Sequence, residues 1–141
     1  MTEKQRFLKA LSHQPYVGKV PTFELVFYLT MELLEKVHPS HRKYDQWNQM
    51  EVKEREIHLS DMAQIYIDVA KHYGHSAIFV HPNPFTLQDT KRLLEIIREK
   101  SGDEYFIMMH GDSTFAIPDG DHIMDFSVKM YEELDELKSE G

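Results

Sequence analysis

Seven side chains able to move a proton or hold a ligand, His110, Asp112, Ser113, Thr114, Asp119, Asp121 and His122, crowd into thirteen positions of this sequence. A connector needs far less. They follow an apolar run, residues 105–109 (YFIMM), with the length and content of a buried parallel strand. Loops at strand ends are where α/β proteins keep their chemistry. A second apolar run, AIFV at 77–80, stops at His81-Pro82-Asn83-Pro84, where two prolines forbid continuation of a ladder. A parallel sheet would bring His81 and His110 onto one edge. Neutral imidazoles near carboxylates make either a metal site or an acid/base pair. The plainer alternative has His81 bonding the backbone of a proline turn and His110 as a satisfied polar group beneath the loop.

Asp112 lies in Gly111-Asp112-Ser113-Thr114, directly after the strand, where a ligand would meet a carboxylate and two hydroxyls. Asp119 and Asp121 alternate with Pro118 and Gly120 and also suit turns; Asp121 fits the N-cap of a last helix. Glu24 sits in an otherwise apolar run. Facing a barrel interior it would have a raised pKa suited to proton transfer, and at a sheet edge it would face water. These considerations assign His81, His110, Asp112 and Glu24 to catalysis, and Ser113, Thr114, Phe115, Asp119, His122 and Asn83 to substrate contact, with no residue assigned to a metal. The remaining scattered histidines, His13, His38, His41, His58 and His72, read as solvated surface. Met108 and Met109 read as core.

The elements that must position these groups follow from pattern. Thr2 and Gln5 form a capping box for an opening helix with Phe7, Leu8 and Leu11 on one side, ending before Pro15. Residues 20–27 (VPTFELVF) predict a first strand, with Pro21 at its start. A helical turn or two follows at 30–37, then a loop at 38–49 carrying the only Trp. Leu59, Met62, Ala63, Tyr66, Val69, Ala70 and Tyr73 repeat at helical spacing within 51–73, and Gly74 ends that helix. Thr86 caps the next, which turns Leu87, Leu93, Leu94 and Ile97 inward and stops before Gly102. Ile123, Phe126, Met130, Leu134 and Leu137 stripe a final helix. The alternation gives an α/β fold of three parallel βα units with an N-terminal helix.

With 141 residues and 41% hydrophobic content the chain can bury one core, so residues 1–141 read as a single domain. A closed (β/α)₈ barrel needs eight strands, so three units make either a small open sheet or the first part of a TIM barrel. A net charge of −8 disfavours nucleic acid and anionic membrane as partners. Zero Cys removes disulfides, thiolate ligands and a Cys nucleophile. No apolar h-region opens the chain and nowhere do eighteen apolar residues run together, so the sequence reads as cytoplasmic.

RFLKAL (6–11) with VPTFEL (20–25), YGHSAIFVHPN (73–83) and MMHGDSTFAIPDGDH (108–122) together resemble the N-terminal part of the uroporphyrinogen decarboxylase superfamily, which includes methylcobamide:coenzyme M methyltransferase-like proteins. The resemblance implies a TIM barrel with its site at the strand C-terminal ends. It further implies tetrapyrrole or corrinoid chemistry, by decarboxylation or methyl transfer, on a small tetrapyrrole or methylated substrate. Corrinoid or zinc belongs to the methyltransferases, and no cofactor to a true decarboxylase. Two departures narrow this. The decarboxylases read substrate carboxylates with an Arg-rich loop after the first strand, but Phe27-Tyr28-Leu29-Thr30-Met31 has no Arg. They also place a catalytic Asp where His81 stands. The methyltransferases take zinc on a His and two Cys of the later barrel, beyond this chain. The expectation is therefore an N-terminal part inactive alone, tilted toward methyl or corrinoid chemistry. The alternatives are a half-barrel that forms a homodimer or pairs with a missing C-terminal half, and a small His/Asp metal-binding α/β domain.

Overall fold

Helix α3 (Val52–Tyr73) is the longest element among the described residues, in a computed structural model that describes residues 1–25, 29–42, 45–81 and 86–111. Asn83, Asp112, Ser113, Thr114, Phe115, Asp119, Asp121 and His122 fall outside those residues, as does the expected last helix. A reciprocal cap starts α3, with Glu54 accepting from the Glu51 N–H at 3.1 Å and Glu51 accepting in return. Gly74 ends it at φ +63°, and a Cβ there would strike the Lys19 ammonium that donates to the Gly74 carbonyl. Leu59, Met62, Ala63, Tyr66, Val69 and Ala70 are buried as their spacing predicts, whereas Tyr73, in the last turn, is exposed.

Helix α4 (Leu87–Ser101) begins at Thr86, whose hydroxyl accepts from the Asp89 N–H at 3.3 Å. Leu93, Ile96 and Ile97 pack it against α3. Leu87 is exposed, against expectation. Six residues before Leu93 it points roughly 120° away from that face on a helix of 3.6 residues per turn.

Strands β1 (Ala77–Val80) and β2 (Phe106–Met109) flank α4 in sequence and pair in parallel, Ala77 opposite Phe106 and Val80 opposite Met109. The Phe106 N–H donates to Ser76 at 3.1 Å and the His110 N–H to Val80 at 2.9 Å, closing the ladder at its two ends. Alternation then sorts the faces. Ile78, Val80 and Ile107 join the core beneath α3 and α4, while on the other face Phe106 stacks on Phe7 at 5.0 Å and Phe79 approaches Phe23 at 6.5 Å.

Helix α1 (Glu3–Leu11) carries the capping box of Thr2 and Gln5 and buries Phe7, but Leu8 and Leu11 remain exposed, so its apolar side is one residue wide. It docks where the strands begin. The Lys4 N–H donates to Glu104 at 2.7 Å, and the Glu3 carboxylate accepts from the Ser76 hydroxyl and from Arg6, each at 2.5 Å. Burial alone would raise the Glu3 carboxyl; those two donors outweigh it and hold its pKa below the usual value.

The expected first strand is the main correction. Residues 20–25 lack strand pairing, and their one ladder-like bond runs from the Ser76 N–H to the Thr22 carbonyl at 2.7 Å. Pro21 has no N–H to give, the chain bends at Leu25, and the Leu25 carbonyl is taken by a side chain. Among the described residues the sheet thus has two strands instead of three. The fold is mixed helix and strand with a small parallel sheet, which agrees with the α/β class.

Between the capping regions, α2 (Thr30–Leu34) supplies the anticipated helical turn, and the expected loop at 38–49 folds into two 3₁₀ turns, Pro39–His41 and Trp47–Gln49. Trp47 is buried, its indole donating to Asp89 at 3.1 Å and its carbonyl accepting from Arg55 at 2.9 Å. No helix among the described residues is long and apolar enough to cross a membrane.

Candidate functional site

His81 and His110 each follow the last residue of a strand, and the parallel register carries both to one end of the sheet. Their rings lie 6.0 Å apart, centre to centre, and within 20° of parallel. Phe79, two residues before His81 on the face away from α3, meets both edge-on, at 5.3 Å from His81 and 5.8 Å from His110. The aromatic wall fixes where both imidazoles stand.

A hydrogen bond fixes the tautomer of His81. The Leu25 carbonyl lies 2.6 Å from His81 Nε2 and can only accept, so Nε2 carries the proton and Nδ1 is the nitrogen that can take one. The His81 backbone N–H donates to the Tyr66 hydroxyl at 3.3 Å, which satisfies it beyond the end of the β1–β2 ladder. Burial pushes the Tyr66 phenol up to about 12, against the opposing pull of that backbone bond. Tyr66 therefore stays a neutral prop.

His38 is the residue that sequence reasoning misplaced. Assigned to the solvated surface, it is 5% exposed and lies 5.3 Å from the Tyr66 ring and 6.4 Å from the His81 ring. The physical reason is its capping role: Nδ1 accepts from the Ser40 N–H at 3.2 Å with the Ser40 hydroxyl 2.7 Å away, turning the ring inward over α3. The readable signal was Pro39, which suits the first position of a helical turn and marks the residue before it as a cap. Burial, reinforced by His81, His41 and Arg42, lowers the His38 pKa to about 4. Of the other histidines expected at the surface, His13, His41 and His72 are exposed and His58 is half-buried.

Glu24 is exposed, on the irregular segment rather than in a strand. With Leu25, His38, Tyr66, His75 and Phe79 it borders a cavity of about 30 Å³ in the seam beside β1. Burial lowers the His75 pKa, although Glu24 pulls it upward. Glu24 is not part of the imidazole group. Among the described residues no three His, Cys, Asp or Glu side chains converge as metal ligands do. What the arrangement offers is acid/base chemistry: one imidazole with an oriented Nδ1 beside a second, at one end of a parallel pair.

Removing the Tyr66 hydroxyl should orphan the His81 N–H. Tyr66→Phe is expected to cost about 1 to 2 kcal/mol in denaturant unfolding and to speed exchange of the His81 amide. Unchanged exchange there would refute the propping role. No family model, no curated protein and no solved structure matches this chain.

Proposed function

We propose that this chain is the N-terminal part of a uroporphyrinogen decarboxylase-superfamily barrel, with His81 and His110 as its acid/base pair and a tetrapyrrole or methylated corrinoid as substrate. The observation that carries the reading is the pairing of those two imidazoles at the C-terminal ends of adjacent parallel strands, the place where barrel enzymes keep their chemistry. The RFLKAL, YGHSAIFVHPN and MMHGDSTFAIPDGDH stretches support the family, and the Arg-free 27–31 segment favours methyl transfer over decarboxylation. No step is assigned to zinc, for which the described residues supply no ligand set.

The test is a spectroscopic titration of the full chain with uroporphyrin and, separately, with methylcobalamin. Binding of either is expected, weakened at least tenfold in the His81→Ala/His110→Ala double variant. Failure of both to bind, or equal binding by the variant, would reject the proposal.

The sheet edges favour a second reading, a half-barrel that pairs with another copy. Parallel sheets are normally buried and extensive, yet among the described residues nothing pairs with the outward backbone groups of Ile107 and Met109. Light scattering that finds only monomer at high concentration would exclude self-pairing.

A further inference from the structure

The register of β1 and β2 makes His81 and His110 the next cross-strand pair beyond Val80 and Met109, with the His110 N–H bonded back to the Val80 carbonyl at 2.9 Å and the His81 N–H to Tyr66 at 3.3 Å. Both imidazoles therefore stand on anchored backbone. Two nitrogens that share one zinc ion lie about 3.3 Å apart in tetrahedral geometry and about 4 Å apart in linear geometry. The two rings are 6.0 Å apart, centre to centre, and within 20° of parallel. Since a ring nitrogen stands one ring radius from its centre, that separation permits facing nitrogens to fall within the range.

His81 is also oriented as a ligand. A metal-binding imidazole almost always donates its other N–H to a carboxylate or carbonyl, which fixes the ring and raises the basicity of the coordinating nitrogen. His81 Nε2 donates to the Leu25 carbonyl at 2.6 Å and leaves the Nδ1 lone pair for an ion. Phe79, edge-on to both rings, walls one side. His38, 6.4 Å from His81, does not complete a set of three, because its Nδ1 is engaged by Ser40 and among the described residues no three such side chains converge. Two imidazoles are fewer than a resident zinc takes, so the ion exchanges and keeps positions open to water. Imidazole donors favour zinc, copper or nickel over calcium or magnesium.

We propose that His81 and His110 chelate an exchangeable divalent transition-metal ion, and that the ion switches the pair off as acid and base by occupying the nitrogens that would carry the proton. The switching rests on the acid/base reading of the pair given above; the chelation does not.

Calorimetric titration of the full chain with zinc chloride, and separately with calcium chloride, tests the chelate. A single zinc ion per chain and no calcium is the expected result. Because the second imidazole binds intramolecularly, His81→Ala and His110→Ala should each lose about tenfold in affinity, and the double variant little more than either. Acylation by diethyl pyrocarbonate, mapped by mass spectrometry, reads the nitrogens themselves: zinc should shield His81 and His110 and leave the exposed His13 and His72 reactive. Shielding in the wild type decides the matter if a variant does not fold. No zinc binding, equal binding of calcium, affinity unchanged in the variants, or shielding confined to other histidines overturns the proposal. Zinc binding by a chain that takes neither uroporphyrin nor methylcobalamin would reject the substrate reading and leave the chelate, and the reverse result would reject the chelate alone.

Discussion

Leu93→Ala is expected to remove about 3 kcal/mol of stability and lower Tm by on the order of 15 °C. Leu93 is fully buried in the seam between α3 and α4, within the cluster that holds Met62, Ala63, Ile96 and Ile97. Truncation forfeits the transfer free energy of the side chain and leaves a hole that two ridged helices cannot fully close. Against a total stability of roughly 5 to 15 kcal/mol, that is a large fraction. The control is Leu87→Ala on the same helix, exposed and expected to change stability by less than about 0.5 kcal/mol. Urea unfolding of both proteins separates the outcomes; comparable losses would mean that α4 faces the core by a different side.

Acid is expected to weaken the protein well before its carboxylates lose their charge. His38 titrates near 6.5 when unfolded and at about 4 when folded. The unfolded chain thus binds the proton first, so the contribution of the neutral ring is fully present above 6.5 and disappears as pH falls toward about 4. At 1.36 kcal/mol per pKa unit the loss amounts to about 3 kcal/mol. His75, also lowered by burial, acts in the same direction. Glu3 and Asp61 extend the decline to lower pH. Burial alone would raise both carboxyls, but Ser76 and Arg6 at Glu3, and Lys36 and Arg42 at Asp61, hold them below their ordinary values. Their contributions exist above the unfolded pKa and vanish as pH falls through the folded one. Denaturant midpoints at pH 7.5, 5.5 and 4.0 should decline steadily. A midpoint unchanged between 7.5 and 5.5 would contradict a neutral buried His38.

How much of this was legible in the sequence depends on whether the determinant was local. The caps at Thr2 and Thr86, the αL stop at Gly74 and the α3 stripe rest on spacing within a single element, and the structure has them where the spacing put them, Tyr73 at the end of the stripe excepted. The strand runs ending at His81 and His110 were equally plain, and the parallel register does bring those residues together. What spacing could not reveal was competition between partners. VPTFELVF has strand composition, but the carbonyl of Leu25 finds a histidine ring before it finds a ladder. Leu8, Leu11 and Leu87 are apolar on real helices, yet among the described residues they stay exposed. His38 and Tyr66 became part of the site through contacts with residues 15 or more positions distant, which no local motif records.

The anchoring of α1 has a consequence for the order in which the molecule can assemble. Its backbone and side-chain bonds reach residues 103 and 104, about a hundred positions downstream: Lys4 to the Glu104 carbonyl, and the Lys4 ammonium to Asp103 at 2.5 Å. The Lys4 bonds of α1 therefore cannot form until residues 103 and 104 are available, whereas Ser76 and Phe23 offer Glu3 and Phe7 nearer partners. The stacking of Phe7 on Phe106 spans nearly as many positions, so α1 adds long-range contacts of the kind that slow folding.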